Sequence, residues 1–191
     1  MSKRIPRLEM NELAANVQAT LTARVKRLGY LGEFFKCSGH NPDVLVSFME
    51  MTEALKEALP DRLTEVGSLT VAGLMGNAYE RHQHERLSEK LGFGRDWVAS
   101  VNRLQPDEAG PMSEDERAVQ RLAIAVVGKK GHGVERELDA LIERIGYQQA
   151  MAVLFLIGRY VMHAYVVNAL DLAPPVPSIF APSSTFEGSK P

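Results

Sequence analysis

"LPDRLTEVGSLTVAGLMGNAYERHQHERLSEKLGF", Leu59–Phe93, decides the fold. Its apolar residues recur at mixed three- and four-residue spacing, the period of a helix with one buried face. The pattern breaks once, between Gly73 and Gly76, and stops at Gly92, a C-terminal helix signal. The stretch therefore reads as a helix pair over residues 61–91, packed back on itself through the break. Glu80 and His84 are four apart and share a face of the second helix, with Asn77 one turn before them. His82 lies about 200° round the wheel from Glu80, at roughly 100° per residue. The crowded "HQH" thus splits into two faces. Packing through the break can bring Glu65, on the first helix, towards Glu80 and His84.

The same period runs through most of the chain. "LEMNELAANVQATLTARVKRLG" reads as one amphipathic helix ending near Gly29. "NPDVLVSFMEMTEALKEAL" starts on Asn41 as N-cap with Pro42 at the first helical position, and stops before Pro60. "RDWVASVN" is a short helix. "SEDERAVQRLAIAVV" opens with Ser113 and Glu116 in capping-box spacing. "GKKGHG", Gly128–Gly133, is a turn; it lacks the Ser or Thr and the preceding strand that a phosphate loop needs. "VERELDALIERIG" and the apolar run Tyr147–Leu172 complete the set. No stretch alternates as a strand does. The fold class is all-α: one helical-bundle domain of about seven or eight helices over residues 1–172. The Pro- and Ser-rich tail 173–191 cannot be a regular helix. Phe180 and Phe186 are its apolar anchors, suited to draping over its own or a neighbouring subunit.

The 191 residues suffice for one domain with a real core, and a net charge of −2 leaves no footprint for nucleic acid or an anionic membrane. The lone cysteine, Cys37, rules out a disulfide framework within the chain and fits a reducing, cytoplasmic compartment. "MSKRIPRLEM" has no apolar core behind its basic residues, so it does not read as a secretory signal. The run "YQQAMAVLFLIGRYVMHAYVVNALDL" is long, but Arg159, His163 and Asn168 interrupt it well short of a span. It is expected to be a core helix, with no membrane partner.

Glu65, eleven residues, then Asn77-x-x-Glu80-x-x-x-His84 resembles the alkylhydroperoxidase D motif, in which Glu, eleven residues and Cys-x-x-Cys-x-x-x-His carry a thiol peroxidase. Asn77 and Glu80 stand where that family has its thiols. With Glu four before His and no cysteine pair, the segment is similar to the carboxymuconolactone decarboxylase branch of the same superfamily. "SEDERAVQRL" and "IGRYVMHAYVVNALDL" resemble the second half of its longer members, so the likeness covers roughly residues 35–172. It implies an alkylhydroperoxidase D-like bundle and a homo-oligomer, as trimer, hexamer or dimer. The decarboxylases of that branch carry a basic residue where Asn77 stands, and Asn77 cannot neutralise a carboxylate.

The chemistry expected is proton transfer. Two carboxyls and an imidazole in an apolar pocket push one another's pKa values apart, which assigns acid and base roles. His84 is the expected general acid/base, Glu80 its partner, and Glu65 a second proton carrier or orienter. Asn77 and Tyr79 are expected to position the substrate. Arg159, Tyr160 and His163 can line the pocket from the last helix, with Arg159 supplying the charge Asn77 lacks. Such steps need no cofactor. A metal reading lacks a second Glu-x-x-His unit, the repeat that carboxylate-rich bundle sites carry. The same acid–base set serves a decarboxylase, lyase, isomerase or hydrolase on a small carboxylated or lactone metabolite. The alternative is a helical binding or scaffold protein that kept the fold and lost the chemistry, with Glu80 and His84 satisfied by their neighbours. A third reading is peroxidase-like antioxidant activity through Cys37. Arg81, His82 and Glu85 are expected on a solvated face or a subunit contact.

Overall fold

The computed structural model describes residues 4–182. After a 3₁₀ turn, Met10–Glu12, come eight α-helices: α1 (Ala15–Leu28), α2 (Glu33–Ser38), α3 (Pro42–Ala58), α4 (Asp61–Leu74), α5 (Ala78–Lys90), α6 (Arg95–Asn102), α7 (Glu114–Gly128) and α8 (Glu135–Ala169). No strand occurs among the described residues.

Helix α4 is the hub, because every residue from Leu63 to Ala72 is buried. Its neighbours α5, α7 and α8 pack around it. A helix surrounded on all sides must be apolar or small all round, and "LTEVGSLTVA" meets that demand except at Glu65. Gly67 sets the closest approach: a Cβ there would lie 2.7 Å from Leu156 Cδ2 on α8. Two buried polar side chains tie α6 and α7 to this hub. Gln120 on α7 donates to Thr70 Oγ1 and to the Val101 carbonyl, at 3.0 and 2.9 Å. Glu116 accepts from Trp97 Nε1 at 2.9 Å while closing the capping box with Ser113.

Two apolar clusters result. One joins α4, α6, α7 and α8 around Val66, Leu69, Trp97, Leu122 and Ile157. The other joins α1, α2, α3 and the end of α8 around Val17, Leu21, Phe34 and Phe48. Helix α8 is apolar and long enough to cross a membrane; like α3 it contributes to both clusters, and more than half of its most apolar window is buried in the molecule. Gly146, at φ 78°, breaks it into the two helices expected from sequence.

The structure departs from the sequence reading in three places. The first helix is split: Leu13 and Ala14 are extended, so that Leu13 turns into the second cluster and its carbonyl accepts from Gln18 Nε2 at 2.8 Å. Helix α2, unforeseen, carries Phe34 and Cys37 inwards. Glu85 is not on a solvated face. It is 1% exposed and clamps the tail, accepting from Ser178 Oγ at 2.6 Å, the Ile179 N–H at 3.2 Å and Asn102 Nδ2 at 3.0 Å. His82, turned away from the Glu80 face, donates to the Val176 carbonyl at 3.1 Å, and Arg86 to that of Pro177 at 3.0 Å. The tail up to residue 182 is thus draped over its own α5 and α6; Phe180 lies beside Arg95, and Phe186 is outside the described residues.

Gly67→Val is expected to lower stability by about 1–3 kcal/mol, the cost of overpacking a closed helix contact, read as a fall in the denaturant midpoint. Glu85→Ala leaves three donors without their acceptor. It is expected to cost about 1–3 kcal/mol and to abolish hydrogen-exchange protection of the Ile179 amide while leaving the α4 amides protected.

Candidate active site

The site is built on the start of α5. Asn77 is its N-cap, with Oδ1 accepting from the Glu80 N–H at 3.1 Å, a standard way of satisfying an orphan donor of the first turn. Because Oδ1 is thereby fixed as the acceptor, Asn77 Nδ2 is the end that meets His163 Nδ1 at 3.4 Å. Nδ1 of His163 is therefore unprotonated, and its Nε2–H donates to Glu80 Oε1 at 3.0 Å. This agrees with the pKa of His163. Burial pushes it down, and although Glu80 pulls the other way, Arg159 and His84 reinforce the fall. His163 is a neutral imidazole of defined tautomer, wedged against Phe34 with ring centroids 4.2 Å apart.

Glu80 is the hub of the polar cluster. Its Oε1 also faces Arg159 Nη1 at 3.7 Å, and its Oε2 faces His84 Nε2 at 3.4 Å. Burial alone would raise its pKa, but His163, His84 and Arg159 outweigh that and hold the carboxyl well below its usual range. His84 is the counterpart. Its Nδ1–H donates to Glu65 Oε2 at 2.8 Å, and its Nε2 lies 2.9 Å from the Tyr160 hydroxyl. Burial disfavours the imidazolium, yet Glu65, the Tyr160 oxygen and Glu80 together raise its pKa well above the ordinary value. Ser88, four residues after His84, donates to the same Glu65 oxygen at 3.3 Å.

The structure thus brings together Glu65, Asn77, Glu80, His84, Arg159, Tyr160 and His163 from α4, α5 and α8. Some of the expected roles change. Asn77 has both ends of its amide engaged inside the protein, and Tyr79 is buried with its hydroxyl accepting from the Phe34 N–H at 3.4 Å. Both hold the site rather than face a ligand. His163 likewise has both nitrogens occupied. Arg159 keeps one open position. Its Nε donates to Thr52 Oγ1 at 3.2 Å, and its guanidinium lies over the Phe48 and Tyr160 rings, but its buried Nη1 has no hydrogen-bond acceptor.

One apolar groove, of about 600 Å³, is lined by Phe34, Leu45, Phe48, Met162, Val166 and His163. A second, of about 790 Å³, has Glu65 and Thr64 in its wall beside the charged Arg24, Arg27, Glu53 and Lys56. Neither is lined by Glu80 or His84, so the single enclosed pocket expected around that pair is replaced by a polar chain between two grooves, ending at Glu65 on one and His163 on the other. The chain runs Glu65–His84–Glu80–His163. Among the described residues no three His, Cys, Asp or Glu side chains form a metal-holding group. Thr52, Ser88, Phe34 and Phe48 were missed from sequence. Ser88 alone had a signal, its four-residue spacing from His84.

No protein-family model matches the sequence. No curated protein sequence matches it either. Solved structures do match. The debrominase Bmp8, as a cysteine-to-alanine variant in complex with 2,3,4-tribromopyrrole, aligns at TM-score 0.78 and 18% identity over 91% of this chain and 92% of that one. An alkylhydroperoxidase D core protein from Ralstonia eutropha JMP134, described as peroxidase-related, aligns at 0.75 and 20% over 90% and 91%. A peroxidase-related protein from Silicibacter sp. TM1040 aligns at 0.74 and 16% over 91% and 94%. At these identities the likeness is one of fold, and the fold of this chain is the alkylhydroperoxidase D-like all-helical bundle.

Proposed function

We propose that the protein is a carboxymuconolactone decarboxylase-like acid–base enzyme acting on a small carboxylated or lactone metabolite. The reading is supported by one observation above the others: the partly buried His84 ring is held between Glu65 and Glu80, with Tyr160 on its Nε2, and these neighbours raise its pKa. A general acid must carry its proton at working pH and be able to release it to carbon. In the proposed step the bond to the substrate carboxylate breaks and carbon dioxide leaves. The electron pair moves into the conjugated system, and His84 Nε2–H protonates the resulting carbanion. Tyr160 then donates its hydroxyl in a hydrogen bond to the neutral Nε2, and a solvent proton reaching that nitrogen after product release restores the imidazolium, with Nδ1–H kept on Glu65 throughout. The open Nη1 of Arg159 supplies a donor and a positive charge for a substrate acceptor, in place of the basic residue that Asn77 replaces.

The apolar groove is of the size that takes one small molecule. A neighbour of the same fold was crystallised with 2,3,4-tribromopyrrole, a flat ring of that size class. One feature favours a second reading, a binding or scaffold protein without chemistry: Asn77 and His163 have every polar atom engaged, and Glu80 is satisfied within the cluster. Peroxidase-like activity has less support, since the one thiol, Cys37, is buried in the second apolar cluster.

Carbon dioxide release from a panel of carboxylated lactones tests the first reading. His84→Gln is expected to lose about 10²–10⁴-fold, the usual worth of a positioned acid, with its helical circular dichroism unchanged. Full activity in that variant removes the acid–base assignment. An inactive wild type that still binds a ring acid in the groove selects the second reading.

The pKa shifts set the pH dependence. A raised folded pKa for His84 contributes stability that is complete below its unfolded value near 6.5 and lost as pH rises through the folded value. The lowered pKa of Glu80 contributes above about 4.5 and is lost as pH falls through its folded value. Imidazole nitrogen spectra at pH 7 are expected to show both His84 nitrogens protonated and His163 as the neutral Nε2–H tautomer. A neutral His84 at that pH contradicts the assignment.

A further inference from the structure

Helix α8 turns an uncharged face to solvent. Between Tyr147 and Tyr165 its exposed positions are Tyr147, Gln148, Met151, Phe155, Gly158, Met162 and Tyr165, with no charged residue among them. The exposures are large: 78% for Tyr147, 49% for Met151, 59% for Phe155, 45% for Met162 and 64% for Tyr165. Scattered exposed apolar residues are ordinary, but a continuous uncharged stripe about 27 Å long, at 1.5 Å per residue, is not.

We propose that this face pairs with the same face of a second copy, α8 against α8 antiparallel, about a two-fold axis passing by Gly158. The sequence of the stripe carries the geometry. Met151, Phe155, Gly158, Met162 and Tyr165 are spaced four, three, four and three, the seam of two helices packed side by side. The stripe is also self-complementary, as a two-fold interface must be. Reversed about position 158, Met151 falls opposite Tyr165, Gly158 opposite itself, and Phe155 opposite position 161, one residue from Met162. A Cβ at Gly158 would have no atom within 4 Å, so the middle of the seam is open to a close approach. With 150–250 Å² for each aromatic side chain, the exposed stripe amounts to roughly 700 Å² per copy, close to the ~800 Å² per partner of a stable interface. A helix lying on a membrane surface would be flanked by Lys and Arg, and this face has none among its exposed positions.

The pairing reaches the ligand groove. Met162 belongs both to the seam and to the wall that includes His163. Phe155 of the second copy, one residue along from Met162 in the pairing, adds to the rim, so the groove that is open in one copy gains a side in the pair. This holds whether the site performs chemistry or only binds.

The test is cross-linking at the axis. Gly158→Cys is expected to form a disulfide dimer under mild oxidation, because only a residue on the two-fold meets its own copy. Tyr165→Cys alone is expected to stay uncross-linked, while an equimolar mixture of Met151→Cys and Tyr165→Cys yields the mixed dimer. The parent protein, whose Cys37 is buried, is the blank. Light scattering is expected to give the parent an even multiple of the 21.1 kDa chain, and Phe155→Glu the single-chain mass with unchanged helical content. A parent that runs as a single chain, whether or not it sediments with lipid vesicles, overturns the proposal. So does an oligomer that survives Phe155→Glu and does not cross-link at position 158.

Discussion

Burying charge is the constraint around which this molecule is organised. Two acidic side chains, Glu65 and Glu80, and two basic ones, His84 and Arg159, lie between α4, α5 and α8. Each would cost several kcal/mol to bury alone, and removing one partner of such a set strands the other, at about 3–5 kcal/mol. The set is viable because its geometry is fixed from outside. Asn77 fixes the start of α5 and the tautomer of His163, Ser88 adds a donor to Glu65, and the Gly67–Leu156 contact sets how near α8 comes to α4.

The same frame explains what has happened to the motif it resembles. Positions 77 and 80 are the N-cap and the third residue of α5. A helix N-terminus favours negative charge there, which suits a thiolate. In this chain the seat holds the carboxylate of Glu80, and the cap is an amide. A carboxylate at that place receives the same stabilisation from the helix end and carries no thiol redox chemistry. The His84 ring is hydrogen-bonded at both ends. The Tyr160 hydroxyl accepts from the charged imidazole and donates to the neutral one.

The tail and the outer face of α8 illustrate opposite solutions to exposed apolar surface. Along α5 and α6 the chain covers itself, with Glu85 spent as an interior acceptor for Ser178 and Ile179. Along α8 the described residues leave the outer face uncovered, and the pattern of the exposed residues is that of a helix seam.

How much was legible in the sequence follows from the range of each interaction. Periodicity, Gly29 and Pro60 at helix ends and the Ser113–Glu116 capping box are local, and they determined the helices from α3 to α8 nearly to the residue. Spacing alone put Asn77, Glu80 and His84 on one face and turned His82 away. The split before α1 was not legible, because it depends on Leu13 finding a pocket in the second cluster. Nor was the burial of Glu85, which looks solvated until the tail returns across a distance of more than ninety residues. Arg159 and His163 sit in an apolar run whose pattern says only that they are inside. That they meet Glu80, that Thr52 ties one and Phe34 stacks the other, and that the cluster lies between two grooves were decided by how α3 and α8 pack. Local order is written in neighbours three and four apart; charge pairing across helices exists only once the core has placed them.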